Sequence, residues 1–188
     1  MNRPDLEAAL DKTVDDLLPP DLRLLFVGIN PGLWTAAVNA HFARPGNRFW
    51  PALHRAGLTS RLVDASRGMP PEDLDDVLGR GIGISNLAPR ATRRADEVTA
   101  EELRAGGERL LRLVASRRPR VVAVAGVTAY RTAFGDRSAR TGRQAHDLAG
   151  AELWVLPNPS GLNAHATPDS LAAAYAEVGR AAGVPFSS

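Results

Sequence analysis

The 188-residue chain is 44% hydrophobic, which suits one domain with a full core and argues against a disordered polymer. It has no cysteine, so disulfides, thiolate zinc sites, cysteine nucleophiles and cysteine-ligated iron–sulfur clusters are excluded; its four histidines lack metal-binding spacing, and neither a metal nor a cofactor is expected. The net charge of +2 is uneven, with six acids in residues 1–21 against Arg3 and Lys12, and eight arginines in residues 112–143 against Asp136.

In chain order, residues 1–16 read as an acidic N-terminal extension and residues 17–188 as a single domain. Leu22-Arg-Leu-Leu-Phe-Val-Gly28 is a β-rich apolar run, followed by the turn-rich Gly28-Ile-Asn-Pro-Gly32. Residues 33–46 read as irregular, and Asn47 as the N-cap of a helix over 48–56 that Gly57 ends. A turn at Pro70-Pro71 leads into a short helix, and residues 81–87 form a short strand. A basic loop over 88–98 precedes Thr99-x-x-Glu102, a capping box that opens a helix over 99–116. Arg120–Gly126 is a buried strand, 127–134 a helix, Glu152–Leu156 a strand, and 168–182 a helix with Pro168 at its start. Strands alternating with helices predict an α/β fold, a three-layer α/β/α sandwich with a mostly parallel central sheet. Ligands of such sheets lie beyond the carboxyl ends of the strands, which directs attention to loops 28–32 and 157–161. No apolar run approaches the ~18–20 residues of a membrane span, and the N-terminus carries no signal-peptide core. A soluble, cytoplasmic monomer is expected.

Three segments carry chemistry. Gly28–Gly32 is neither a dinucleotide fingerprint nor a P-loop; it is either a structural turn braced by Asn30 or a ligand loop. Phe42 lies among turn formers, where a ring serves the core or stacks on a planar base. Leu162 stands in the otherwise polar Pro157-Asn-Pro-Ser-Gly-Leu-Asn163, where a leucine either folds back on the core or acts as a wedge between bases. Lys12 is the only lysine, so the positive charge is guanidinium, suited to bidentate phosphate contacts; a GC-rich genome gives the same composition.

Taken together and in this order, Gly28-Ile-Asn-Pro-Gly-Leu33, Phe42-Ala-x-Pro-x-Asn-Arg-Phe-Trp50 and Leu156-Pro-Asn-Pro-Ser-Gly-Leu162 resemble the mismatch-specific uracil-DNA and thymine-DNA glycosylases. Arg104-Ala-Gly-Gly107 and Gly126-x-x-Ala-Tyr130 fit the same pattern, and the likeness runs over residues 17–182. The resemblance implies a uracil-DNA glycosylase-like fold and a monofunctional glycosylase that hydrolyses uracil, and related damaged pyrimidines, from G·U mismatched duplex DNA by base flipping. It implies that Asn30 holds the attacking water, and that Gly28, Ile29, Thr35, Phe42, Asn158 and Ser160 contact the flipped nucleotide. Leu162 would be the wedge, with the backbone at Gly161 and Asn163 against the orphaned guanine. Arg90, Arg93, Arg94 and Arg143 are the expected phosphate contacts.

The sequence departs from that pattern at Ala164, where arginine is common, and at Trp34-Thr35-Ala36, which replaces small residues. Asp96 either assists or replaces Asn30 in activating water, or with Glu97 favours the start of the next helix. Alternative functions are a single-strand-active uracil glycosylase, a non-catalytic DNA-binding module on the same fold, and a small-molecule nucleotide hydrolase. A wedge leucine and a water-holding asparagine argue against the last two.

Overall fold

The computed structural model describes residues 3–163 and 166–187; Ala164, the departure noted above, lies outside them. After a short helix α1 (Arg3–Glu7), strand β1 (Leu24–Gly28) leads through the 28–32 turn into α2 (Leu33–Val38) and α3 (Phe49–Arg55). Helix α4 (Pro71–Gly79), strand β2 (Ile82–Asn86) and a 3-10 turn (Ala95–Glu97) precede the long helix α5 (Ala100–Arg117). Strand β3 (Val121–Ala125), α6 (Val127–Phe134), β4 (Gly142–Arg143), β5 (Glu152–Leu156) and α7 (Pro168–Ala182) complete the chain.

The sheet order is β2-β1-β3-β5-β4. All pairings are parallel except β4 with β5. Side chains alternate between two cores, as the period of two along a strand requires. Leu24, Phe26, Ile82, Ile84, Val121 and Ala123 face α3 and α7, while Leu25, Val27, Val122, Val124, Leu153 and Val155 face α5 and α6. The expected three-layer α/β/α sandwich is therefore the observed architecture. Among the described residues no helix is long and apolar enough to cross a membrane.

The capping box forms as predicted: Glu102 N donates to Thr99 Oγ1 at 3.1 Å and Thr99 N to Glu102 Oε2 at 2.8 Å. Two local expectations need correction. Residues 33–38 are helical, not irregular; the helix stops where Asn39 turns left-handed (φ 48°) and its N–H caps Thr35 O. At α3 the N-cap position falls on Arg48, while the Asn47 side chain accepts from Phe49 N at 2.9 Å, an Asx turn one residue earlier. The acidic segment does not stand apart from the body: Ala9 and Val14 are buried with Ala36 and Ala91 in a third, small cluster.

Candidate active site

A cavity of about 520 Å³ opens at the carboxyl ends of β1, β2 and β3. It is walled by the 28–32 turn, by Phe42, Asn86 and the 92–96 loop, and by Asn158, Ser160 and Leu162. The sequence motifs thus converge, although they lie more than a hundred residues apart.

Asn30 is held by its amide nitrogen. Nδ2 donates to Thr92 Oγ1 (2.8 Å), Pro31 O (3.0 Å) and Arg90 O (3.2 Å). Thr92 spends its own hydroxyl proton on Arg94 O at 2.6 Å, so its oxygen is left to accept. Three acceptors around one end of the amide fix its orientation. The carbonyl oxygen, Oδ1, has no partner among the described residues and is available to the cavity.

Phe42 adopts a left-handed backbone (φ 54°), a strain of about 1 kcal/mol that a packed ring must offset. Its ring stacks on Phe49 at 4.0 Å and 16°. Phe49 in turn meets Phe26, Tyr175 and, edge-on at 5.0 Å, Trp50, so Phe42 is the outermost member of an aromatic column rooted in the core.

Asn86 and His41 are site residues that the sequence reading missed. Asn86 ends β2, and His41 Nε2–H donates to Asp15 O at 2.8 Å. That tautomer leaves Nδ1 to accept from Asn86 Nδ2 at 3.4 Å. Burial pulls the imidazole below its ordinary value, outweighing the Asp15 carbonyl and the Asp16 and Asp15 carboxylates, so the ring is neutral. A Cβ at Gly28 would lie 2.6 Å from Asn86 Oδ1 and 3.3 Å from the Phe42 ring, so only glycine lets these groups close on the cavity floor. The signal for Asn86 was a polar residue at the carboxyl end of a fully buried strand.

The wedge loop is compact. Ser160 N donates to Asn158 Oδ1, Asn163 N to Ser160 O, and Asn163 Nδ2 to Asn158 O, at 2.9–3.0 Å. Arg48 braces it from α3, donating to Asn163 O at 2.7 Å and Gly161 O at 3.3 Å. Gly161 sits so near the 44–46 turn that a Cβ would come within 2.6 Å of Gly46 O. Leu162 is 81% exposed, more than any other large hydrophobic described. It does not fold back on the core.

The arginines fare unevenly. Arg93 and Arg94 line the cavity, paired with Glu7 and Asp96. Arg90 does not line it; Glu102 and Asp11 clasp its guanidinium. Arg143 is also absent from the cavity: it pairs with Glu152 at the amino end of β5, away from the strands' carboxyl ends. Arg44, unremarked in the sequence, is exposed at the cavity mouth without an ion pair among the described residues. Asp96 lies on the rim, where hydrogen bonds from Arg94 keep its carboxyl below the usual carboxylate range against partial desolvation. Thr35 is a buried wall residue, and Ile29, on the 28–32 turn, lines the same cavity. Gly28 and Ile29 carbonyls accept from Leu87 and Ala88 N–H groups, which ties the turn to the loop after β2. Among the described residues no group of three or more His, Cys, Asp or Glu side chains could hold a metal ion.

The sequence pattern of the uracil DNA glycosylase superfamily matches residues 16–179, and the chain belongs to that superfamily. Its fold is similar to the solution NMR structure of a candidate uracil DNA glycosylase from Methanosarcina acetivorans, with TM-score 0.56 and 16% identity over 90% of this chain and 98% of that one.

Proposed function

We propose that the protein removes uracil, and related damaged pyrimidines, from G·U mismatches in duplex DNA, as a monofunctional, mismatch-type glycosylase. The observation that carries the reading is Asn30: its amide nitrogen is locked by Thr92, Pro31 and Arg90, and its carbonyl oxygen has no partner among the described residues, beside a cavity roomy enough for a flipped nucleotide. A water held there would donate a hydrogen bond to Oδ1 and attack C1′ of a flipped nucleotide, its surplus proton passing to solvent. The C1′–N1 bond breaks, its electron pair leaves with N1 of uracil, and the water's hydroxyl stays on the sugar of the abasic product.

Phe42 offers a ring face for the base, and the Asn86 amide offers a donor and an acceptor that suit the O4 and N3–H of uracil. A neutral asparagine orients water but is a weak base, so turnover rests on the quality of the leaving group. Asp96, ionised beside Arg94, contributes a field at the rim that favours a cation-like sugar. Leu162 fills the gap in the stack, and the backbone at Gly161 and Asn163, braced by Arg48, meets the orphaned guanine. Arg44, Arg93 and Arg94 are the phosphate contacts nearest the cavity. The only lysine is Lys12, so no amine in the site can form a Schiff base, and the product strand stays intact.

The test is single-turnover cleavage of duplexes carrying one G·U, A·U or G·T pair, and of single-stranded uracil DNA. Abasic sites should form fastest at G·U. Asn30→Ala should lose about 100-fold or more, and Asp96→Asn less than about 10-fold. Equal rates on single strands would support the single-strand alternative; salt-sensitive binding without cleavage would support a DNA-binding module.

A further inference from the structure

The superfamily match begins at residue 16, yet the chain ahead of it reaches the supports of two cavity asparagines, Asn30 and Asn86. Asp11 turns with a left-handed backbone (φ 61°), and the chain then runs antiparallel to the loop after β2. Asp11 N donates to Ala91 O at 3.0 Å, Ala91 N to Lys12 O at 2.7 Å, and Thr13 bridges Arg90. Asp11 pairs with the Arg90 guanidinium, and Glu7 with Arg93. Beneath these contacts, fully buried Ala9 packs with Ala91 in the third core cluster.

The clasped residues are those that hold Asn30. Arg90 O and Thr92 Oγ1 accept from its Nδ2, and Thr92 N donates to Pro31 O at 3.2 Å. Four residues after Asp11, Asp15 O receives the His41 Nε2–H bond that sets the ring nitrogen facing Asn86. Asp16 pairs with Arg109, whose guanidinium donates to the Asn86 carbonyl.

We propose that residues 7–15 are a positioning latch. By fixing Arg90–Thr92, they hold the Asn30 amide nitrogen and so aim its carbonyl oxygen into the cavity. The latch touches neither substrate nor reacting atoms. Its effect on rate rests on the glycosylase reading above; its effect on the loop does not.

The test uses the full chain carrying Ala9→Asp, which forces a carboxylate against Ala91, with Ala9→Ser as the conservative control. Amide exchange at Ala91 and Thr92 should accelerate about tenfold or more in Ala9→Asp and stay at the wild-type rate in Ala9→Ser. The single-turnover rate at saturating enzyme should fall about tenfold, while Kd for a uracil-free duplex changes less than about threefold, a split that general destabilisation would not produce. Unchanged exchange at Ala91 and Thr92, or a wild-type rate in Ala9→Asp, overturns the latch. Should Ala9→Asp fail to fold, the double variant Glu7→Gln/Asp11→Asn decides by the same two readouts. Wild-type protein that cleaves no uracil DNA would sink the glycosylase reading alone, and the exchange measurement would then judge the latch.

Discussion

Leu162 and Tyr175 are opposite cases of a side chain out of place. Leu162 exposes 81% of its surface, so Leu162→Ala removes little that folding has buried. Its stability should stay within about 0.5 kcal/mol of wild type by thermal unfolding. Single-turnover cleavage should nevertheless fall by about tenfold, because the flipped state loses its plug. The Tyr175 hydroxyl is buried without a hydrogen-bond partner, and burial pushes its pKa well up. Tyr175→Phe should therefore stabilise the fold by about 1 kcal/mol, read as a rise in Tm of about 3 °C. At this scale sequence reading singled out Asn30, Phe42 and Leu162, which the fold brings to one cavity, because their motifs are contiguous. It missed Asn86 and His41, because their partnership joins the end of β2 to residue 15 through tertiary contacts that no local pattern encodes.

The capped start of α5 is an element with two duties. Glu102 closes the Thr99 capping box and clasps Arg90, and these bonds, led by that from Arg90, push its pKa down to about 2 from 4.5. A carboxylate with a depressed folded pKa adds stability above its unfolded pKa and loses it as pH falls through the folded one. The loop before α5 should accordingly loosen between about pH 4.5 and pH 2. Amide exchange over residues 88–98 should show that acid dependence, and Glu102→Gln should flatten it. Helix α5 was legible from Thr99-x-x-Glu102 alone; that the same carboxylate anchors the loop after β2 was not, since Arg90 lies twelve residues upstream. Helix α2 escaped notice because six apolar-to-small residues between Gly32 and Asn39 are too few to display a period. Strand β4, two residues long and antiparallel at the sheet edge, is likewise too short to announce itself.

Across the whole molecule, charge is less available than the composition suggests. Arg90, Arg93, Arg94 and Arg143 all sit in intramolecular ion pairs. With Arg44, Arg93 and Arg94 as the contacts at the cavity, binding of a uracil-free duplex should weaken about 40-fold between 50 and 200 mM salt, as three phosphate contacts predict. A drop above about 1000-fold would mean that more of the arginine-rich 112–143 segment meets DNA. The layered fold itself was readable from the alternation of strands and helices, since each strand's two faces feed two separate cores. The aromatic column has an optical consequence. Trp50 is buried, touches Phe49 edge-on, and donates its indole N–H to the carbonyl of His41, the residue before Phe42. A pyrimidine settling on Phe42 would press on the far end of that column and alter the surroundings of the indole. Trp50 emission should therefore change as a base enters the cavity, which would let stopped-flow fluorescence time the flipping step apart from bond cleavage.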